Sequence, residues 1–223
     1  MANFSFSLEA ATLKAALVCV SNEETRYYLR GVSIEPTGAT VAIVSTDGHR
    51  LFAARYEPAR DAATVLPVEN FLIPGDAIKR ALTGYKAELI NLRREGETWF
   101  LGDITFQPID GTFPDWSCVF PSEDTLRKSL GTVAQFNPAY MADMGKVAKA
   151  LVPGKQTMTP QIHHCGNDPA FVTFPGRDDL FCLVMPMRGE TMPACDLLLM
   201  QDKITGSFWR KLHLDILRGA AAA

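Results

Sequence analysis

Apolar and polar positions along this chain follow two rhythms, and the order in which one gives way to the other repeats. Asn3 to Ser7 alternates with the two-residue period of a strand, and a helical period then runs from about Leu8 to Val20. Within that helix Leu13, Ala16, Leu17 and Val20 share one face while Lys14 lies on another, so one side suits a sheet and the other suits water. Strand-like runs follow near residues 25 to 36, 39 to 46 and 49 to 57, with Pro36-Thr37-Gly38 as a turn. The predicted order is βαβββ.

Residues 68 to 110 predict the same order. Val68 to Ile73 reads as a strand, Gly75 to Leu82 as a short helix, and Ala87 to Arg93, Thr98 to Gly102 and Ile104 to Ile109 as strands, with turns at Gly96 and Gly102-Asp103. A third copy is expected to begin with a strand at Val133-Ala134-Gln135-Phe136. Asn137 then suits a helix cap, Pro138 suits the first helical position, and Tyr140, Met141, Met144, Val147, Ala148 and Leu151 form an apolar stripe. Strands near 159 to 164, 169 to 174 and 180 to 186 complete it. Three βαβββ units in one chain constitute an internal structural repeat, joined by linkers at Pro58 to Pro67 and Pro121 to Gly131. The second linker, with Ser122-Glu123-Asp124 and Arg127-Lys128, is the better domain boundary, giving 1–121, 132–188 and an extension over 189–223.

Composition narrows the function classes. With 223 residues, 47% hydrophobic and 21% charged, the chain can bury a sizeable core. The amino terminus has no basic segment followed by a long apolar run, and no run reaches membrane-spanning length, so a cytoplasmic protein away from membranes is expected. Five cysteines, Cys19, Cys118, Cys165, Cys182 and Cys195, lack CxxC spacing, which predicts reduced thiols and neither a disulfide framework nor a zinc site. His163-His164-Cys165 cannot converge on one metal from a strand, because consecutive residues alternate faces. No cofactor is predicted. A net charge of −3 argues against coating DNA through bulk positive charge, yet allows a ring with a locally positive lumen.

Two runs in the first unit, Glu24-Thr25-Arg26-Tyr27-Tyr28-Leu29-Arg30-Gly31 and Val44-Ser45-Thr46-Asp47-Gly48-His49-Arg50-Leu51, carry a resemblance to a known family. Phe113-Pro114-Asp115-Trp116 with Val119-Phe120-Pro121, and Val184-Met185-Pro186-Met187-Arg188, fit the same family in the same order. The chain resembles the bacterial DNA sliding clamp, the beta subunit of DNA polymerase III. Residues 4 to 121 are similar to its middle domain and 133 to 188 to the second half of its last domain. The resemblance implies an α+β DNA-clamp fold, with three βαβββ units and helices on one face of antiparallel sheets.

It also implies a function, that of a non-catalytic processivity factor in DNA replication or repair. Such a factor encircles duplex DNA independently of sequence and tethers a polymerase or repair protein through a clamp-binding peptide, with a clamp loader as a further partner. The peptide pocket maps to Leu29, Thr46, Gly48, His49, Arg50, Leu51, Pro114, Val119, Tyr140, Val184, Met185, Pro186 and Met187. Its apolar walls would take side-chain anchors, and Arg50 or His49 would meet a carbonyl or carboxylate. DNA contacts map to Arg26, Tyr27 and Tyr28 and to the helix-face residues Lys14, Lys79, Arg80, Lys146 and Lys149. Cys118 stands where the family commonly has arginine, which removes a charge from the rim.

Plain structural uses stand beside these. Gly48 suits a tight turn, Asp47 suits a bond to its own turn, Leu51 and Val184 suit strand cores, and lysines on a helix face are routine. Family clamps carry six units per chain and close a twelve-unit ring as dimers, whereas three units here favour a tetramer over a dimer. The extension, with Leu197-Leu198-Leu199-Met200 and Phe208-Trp209-Arg210-Lys211-Leu212, predicts a docked helix at 206–217 that packs on its own sheet or covers the pocket. One alternative function keeps the fold without the ring, as a regulator or decoy binding clamp-binding peptides. A remoter one is a metal-dependent phosphoesterase using Asp47, His49, Asp103, Asp110 and Asp115.

Overall fold

In the computed structural model the described residues are 3–59, 64–120, 127, 134–152 and 158–187. The expected tail helix at 206–217, Cys195 and most of the 121–131 linker lie outside them. Met1–Met187 pack as one compact unit.

In the first unit, β1 (Phe4–Glu9) leads straight into α1 (Ala10–Ala16), and β2 (Gly31–Thr37), β3 (Thr40–Thr46) and β4 (Arg50–Tyr56) follow. The second unit is β5 (Phe71–Pro74), α2 (Gly75–Leu82), β6 (Leu89–Glu95), β7 (Thr98–Leu101) and β8 (Ile104–Phe106). The third comprises α3 (Pro138–Leu151), β9 (Gln161–Cys165), β10 (Asp168–Phe174) and β11 (Arg177–Val184).

Several boundaries differ from the pattern-based expectation, among them the last strand of the second unit, which ends at Phe106 rather than Ile109. Leu8 belongs to β1, because Phe4, Phe6 and Leu8 point inward at strand spacing, and α1 gives way at Leu17–Cys19 to a 3-10 turn. Residues 25–30 are not strand; Tyr27–Leu29 form a 3-10 turn that buries Leu29. The strand expected from Val68 is only Phe71–Pro74, and Val68 is exposed. Nor are residues 134–137 a strand. The Gln135 carbonyl accepts a hydrogen bond from Met187 N at 2.7 Å, and no ladder forms there among the described residues.

The strands form two antiparallel sheets, one ordered β1-β6-β7-β8 and the other β5-β2-β3-β4-β11-β10-β9. The first two units exchange their leading strands: β1 pairs with β6, and β5 with β2. Phe4 and Phe71, one from each exchanged strand, stack at 5.3 Å, and Trp99 closes on Phe71 at 4.8 Å. Burying such rings contributes roughly 1.5–3 kcal/mol each. The third unit joins edge to edge, as β11 pairs with β4 through Leu180↔Ala54, Cys182↔Phe52 and Val184↔Arg50.

That junction is apolar on both faces. Along β4, Phe52 and Ala54 enter the main core, while Leu51 and Ala53 enter a second, smaller core on the opposite face. Along β11, Leu180, Cys182 and Val184 face the main core and Leu183 the second. The helices cover the main-core face. α1 packs against both α2 and α3, and Ser45 Oγ donates to the Ala16 carbonyl at 2.6 Å, satisfying a helix end. Arg177 adds a polar tie between units, with Nη2 2.7 Å from Glu9 and Nε 2.9 Å from Asp179. Burial of Cys182 against Cys19 pushes its thiol well up, and the four described cysteines are free thiols.

Candidate functional site

The site begins with a tight loop. Between β3 and β4, the Asp47 carboxylate accepts from His49 N and Arg50 N, both at 2.8 Å, while Thr46 Oγ1 donates to the Arg50 carbonyl at 2.6 Å. Gly48 has φ +89°, and a Cβ there would meet Arg26 Nη1 at 2.6 Å. The left-handed backbone calls for glycine, whereas the Arg26 guanidinium is the end of a flexible side chain that can move aside. The turn uses expected for Asp47 and Gly48 are therefore real, and they shape one wall of a cavity.

The opposite wall comes from the segment after β8. Asp115 Oδ1 accepts from Ser117 N at 3.0 Å and so caps a 3-10 turn at Trp116–Val119. Trp116 Nε1 donates to Glu35 on β2 at 3.0 Å. Phe120 reaches across to Phe181 on β11 and Phe171 on β10, at 5.3 and 5.8 Å. This segment is thus pinned over the β4–β11 junction, on the sheet face away from the helices.

Between the walls lies a cavity of about 250 Å³. It gathers Leu29, Thr46, Gly48, Arg50, Leu51, Pro114, Val119 and Met185 from the expected set. His49, Tyr140, Val184, Pro186 and Met187 do not line it. Val184 is fully buried in the main core. Neighbours on a strand point to opposite faces, so Val184 and Met185 cannot share one wall; Leu183, two residues from Met185, lines it instead. His49 stacks on Tyr140 at 5.4 Å, and Met187 is 54% exposed.

Sequence reasoning missed Leu183, Asp115 and Trp116 as lining residues, although the Phe-Pro-Asp-Trp run and the strand period both pointed to them. It also assigned Arg26 and Tyr28 to DNA, and both line this cavity. Arg26 pairs with Glu23 at 2.7 Å, and Tyr28 meets the exposed Tyr27 edge-on at 5.8 Å.

Polar groups at the cavity are already engaged. The Arg50 guanidinium pairs with Asp47 at 2.7 Å and with Asp143 of α3, and lies 4.8 Å from the Tyr140 ring centre. Burial works against its charge, but the Asp47 hydrogen bonds and the nearby carboxylates hold its pKa above the usual arginine value. Asp143 also takes Lys146 at 2.5 Å. The Cys118 thiol donates to Asp115 at 3.3 Å, which pushes it up, while hydrogen bonds from Ser117 and then Cys118 pull the Asp115 carboxyl down.

The expected helix-face cations come from three neighbouring helices: Lys14 from α1, Lys79 and Arg80 from α2, Lys146 and Lys149 from α3. All five are exposed. Lys79 pairs with Asp76 at 3.1 Å, whereas Lys14, Arg80 and Lys149 make no ion pair among the described residues. No group of His, Cys, Asp or Glu among the described residues is placed to hold a metal, and no described helix is long and apolar enough to cross a membrane.

Known proteins share this fold. Residues 7–115 match the family described as DNA polymerase III beta subunit, central domain. The beta sliding clamp of Caulobacter vibrioides is 31% identical over 167 residues, covering 66% of this chain and 43% of its own length. That of Proteus mirabilis is 30% identical over 131 residues, covering 54% of this chain and 35% of its own. The chain thus spans less than half the length of these relatives. The Bacillus subtilis clamp structure superposes with a TM-score of 0.62 at 16% identity, over 83% of this chain and 64% of that one. A Bartonella birtlesii clamp bound to griselimycin superposes with a TM-score of 0.60 at 20% identity, over 83% and 66%. Residues 7–115 thus carry the central domain of the DNA polymerase III beta subunit family, and the chain has the α+β clamp fold.

Proposed function

We propose that the chain is a non-catalytic processivity factor in DNA replication or repair. It holds polymerase-type partners on DNA by raising their effective concentration there. The observation that carries this reading is the division of one sheet into two working faces. Helices carrying the exposed cations Lys14, Arg80 and Lys149 cover one face, and the apolar cavity opens on the other.

The cavity suits an extended peptide with apolar anchors. Leu51, Leu183, Pro114 and Val119 form fixed walls and Met185 adapts to different side chains. Each buried aliphatic or aromatic anchor is worth about 1.5–3 kcal/mol. Tyr140, His49 and Met187 are reached by the flanks of a longer peptide. Arg50 acts mainly by shaping the wall, since Asp47 and Asp143 already occupy its donors.

On the other face, contacts from the helix cations to phosphates are independent of sequence and permit sliding. Encirclement follows from self-association, with four chains restoring twelve units. A clamp loader is the partner that such a closed ring requires, and the cytoplasm is where these partners meet. Two of the four carboxylates a phosphoesterase would need are otherwise occupied, Asp47 by Arg50 and the loop amides, Asp115 by Ser117 and Cys118.

The test combines light scattering with retention on DNA. A tetramer retained on nicked circular DNA and lost on linearisation is expected. A monomer at micromolar concentration, or equal retention on both substrates, overturns encirclement. Fluorescence anisotropy with an extended peptide bearing apolar anchors tests the cavity separately.

A further inference from the structure

The three units treat the edges of their sheets differently. In the first, the outer edge of β2 is covered by β5, and Gly31 to Ile34 are all buried. In the second, β6 is covered by β1. In each case the covering strand comes from the other unit and runs directly into that unit's own helix, β1 into α1 and β5 into α2.

The third unit has the same parts and no exchange partner. β9 is the last strand of its sheet among the described residues, and Gln161, Ile162 and His163 are exposed, Ile162 by 36%. The segment directly before α3, residues 134–137, pairs with no strand among the described residues. Beside both lies the His164 ring, 5.4 Å from Phe136, whose buried Nδ1 makes no hydrogen bond among the described residues. A buried polar atom without a partner is costly, and an open sheet edge invites another strand. Residues 121–133 are too few to hold a further unit, when the second spans Phe71–Phe106.

We propose that a second copy of this chain completes the third unit by reciprocal strand exchange, each chain laying residues 134–137 along the outer edge of the other's β9. The interface is isologous and continues a sheet that already crosses the β4–β11 junction. Two chains joined in this way carry six units, and the proposal rests on the clamp reading only for the count needed to close a ring.

The internal repeat supplies the register. The turn from Cys165 to Asp168 corresponds to that from Thr37 to Thr40, which places Ile162 at the position of Ile34 and Gln161 at that of Ser33. Aligning the starts of α3 and α2, Pro138 on Gly75, places Ala134 at the position of Phe71 and Gln135 at that of Leu72. Since Ile34 pairs with Phe71 and Ser33 with Leu72, Ile162 faces Ala134 of the second chain and Gln161 faces its Gln135. Paired Cα atoms in antiparallel strands lie about 4.5–5.5 Å apart, within the range a disulfide spans.

Two variants of the full chain test this. Ile162→Lys places a charge on the edge and is expected to halve the mass seen by light scattering, with affinity for an apolar-anchored peptide unchanged. Gln135→Cys combined with Gln161→Cys is expected to give a covalent dimer under oxidised glutathione, which neither single variant nor the parent gives. A monomeric parent, a mass insensitive to Ile162→Lys, or cross-linking only within one chain overturns the proposal. If the parent is monomeric but binds the peptide, the exchange fails while the cavity reading stands. If it is a tetramer insensitive to Ile162→Lys, the ring stands and this edge is wrong.

Discussion

The two faces of the seven-stranded sheet are built from alternate residues of the same strands, yet they are organised on different principles. On the helix face Phe52, Ala54, Cys182 and Val184 are sealed beneath α1 and α3, so what reaches water is the far side of the helices with its cations. On the other face Leu51, Ala53 and Leu183 are buried under a segment pinned at Trp116 and Phe120, and a gap beneath that segment is the cavity. One face presents charge on rigid elements and the other presents apolar surface under a strap. The lesson is that a two-residue period lets a single strand serve both, with each face open to separate disruption.

The largest effect should come from the strap. Trp116→Ala removes the ring that lines the cavity and its bond to Glu35, and should weaken an apolar-anchored peptide about 30-fold or more in anisotropy titrations, as hot-spot aromatics do. DNA retention by the same variant should be unchanged. Next, reversing Lys14, Arg80 and Lys149 together to glutamate should abolish retention on circular DNA at moderate salt, with peptide affinity intact. Even neutralising the three should flatten the salt dependence by roughly three counterions. Similar losses of both functions in either variant would break the contrast between the faces.

Smaller effects sharpen it. Asp143→Ala releases Arg50 on the cavity side and Lys146 on the helix side, so it should move peptide affinity and DNA retention together, each by only several-fold. Acid should weaken the Arg177–Asp179 pair within β11. The hydrogen bond from Arg177 holds the Asp179 carboxyl below its ordinary value. Its stabilisation is therefore complete above the unfolded carboxylate pKa of about 3.9 and is lost as pH falls through the lowered folded value. Thermal melts of Arg177→Ala should show a shallower decline over that acid range. Smallest of all, Cys118→Arg places a cation beside Asp115 and should tighten an acidic peptide by a few-fold at low salt, the gain fading as salt rises.

Much of the fold was legible in the sequence. The helices at Gly75–Leu82 and Pro138–Leu151 fall where periodicity and capping residues put them, and Gly38, Gly96 and Gly102 turn the chain at positive φ. Boundaries failed where tertiary partners decide. Leu8 reads equally as the first helical residue, and only pairing with Ile90 makes it strand. The cavity was half legible. The Thr46–Leu51 loop and the Pro114–Val119 segment both carry the resemblance, but His49 and Val184, which it also brings in, do not line the cavity.

By itself the sequence determined the repeating order of strands and helices, the turns and caps, and the family, because periodicity, glycine conformations and local motifs reside in neighbouring residues. Tertiary structure alone decided that the third unit fuses to the first through β11 and β4, that Arg26 and Tyr28 face the cavity, and that Arg50 is already paired with Asp143. It also left β9 uncovered among the described residues. Each of these depends on a contact between residues far apart in the chain, and strand pairing leaves its edges alike in sequence whether or not a neighbour arrives to cover them.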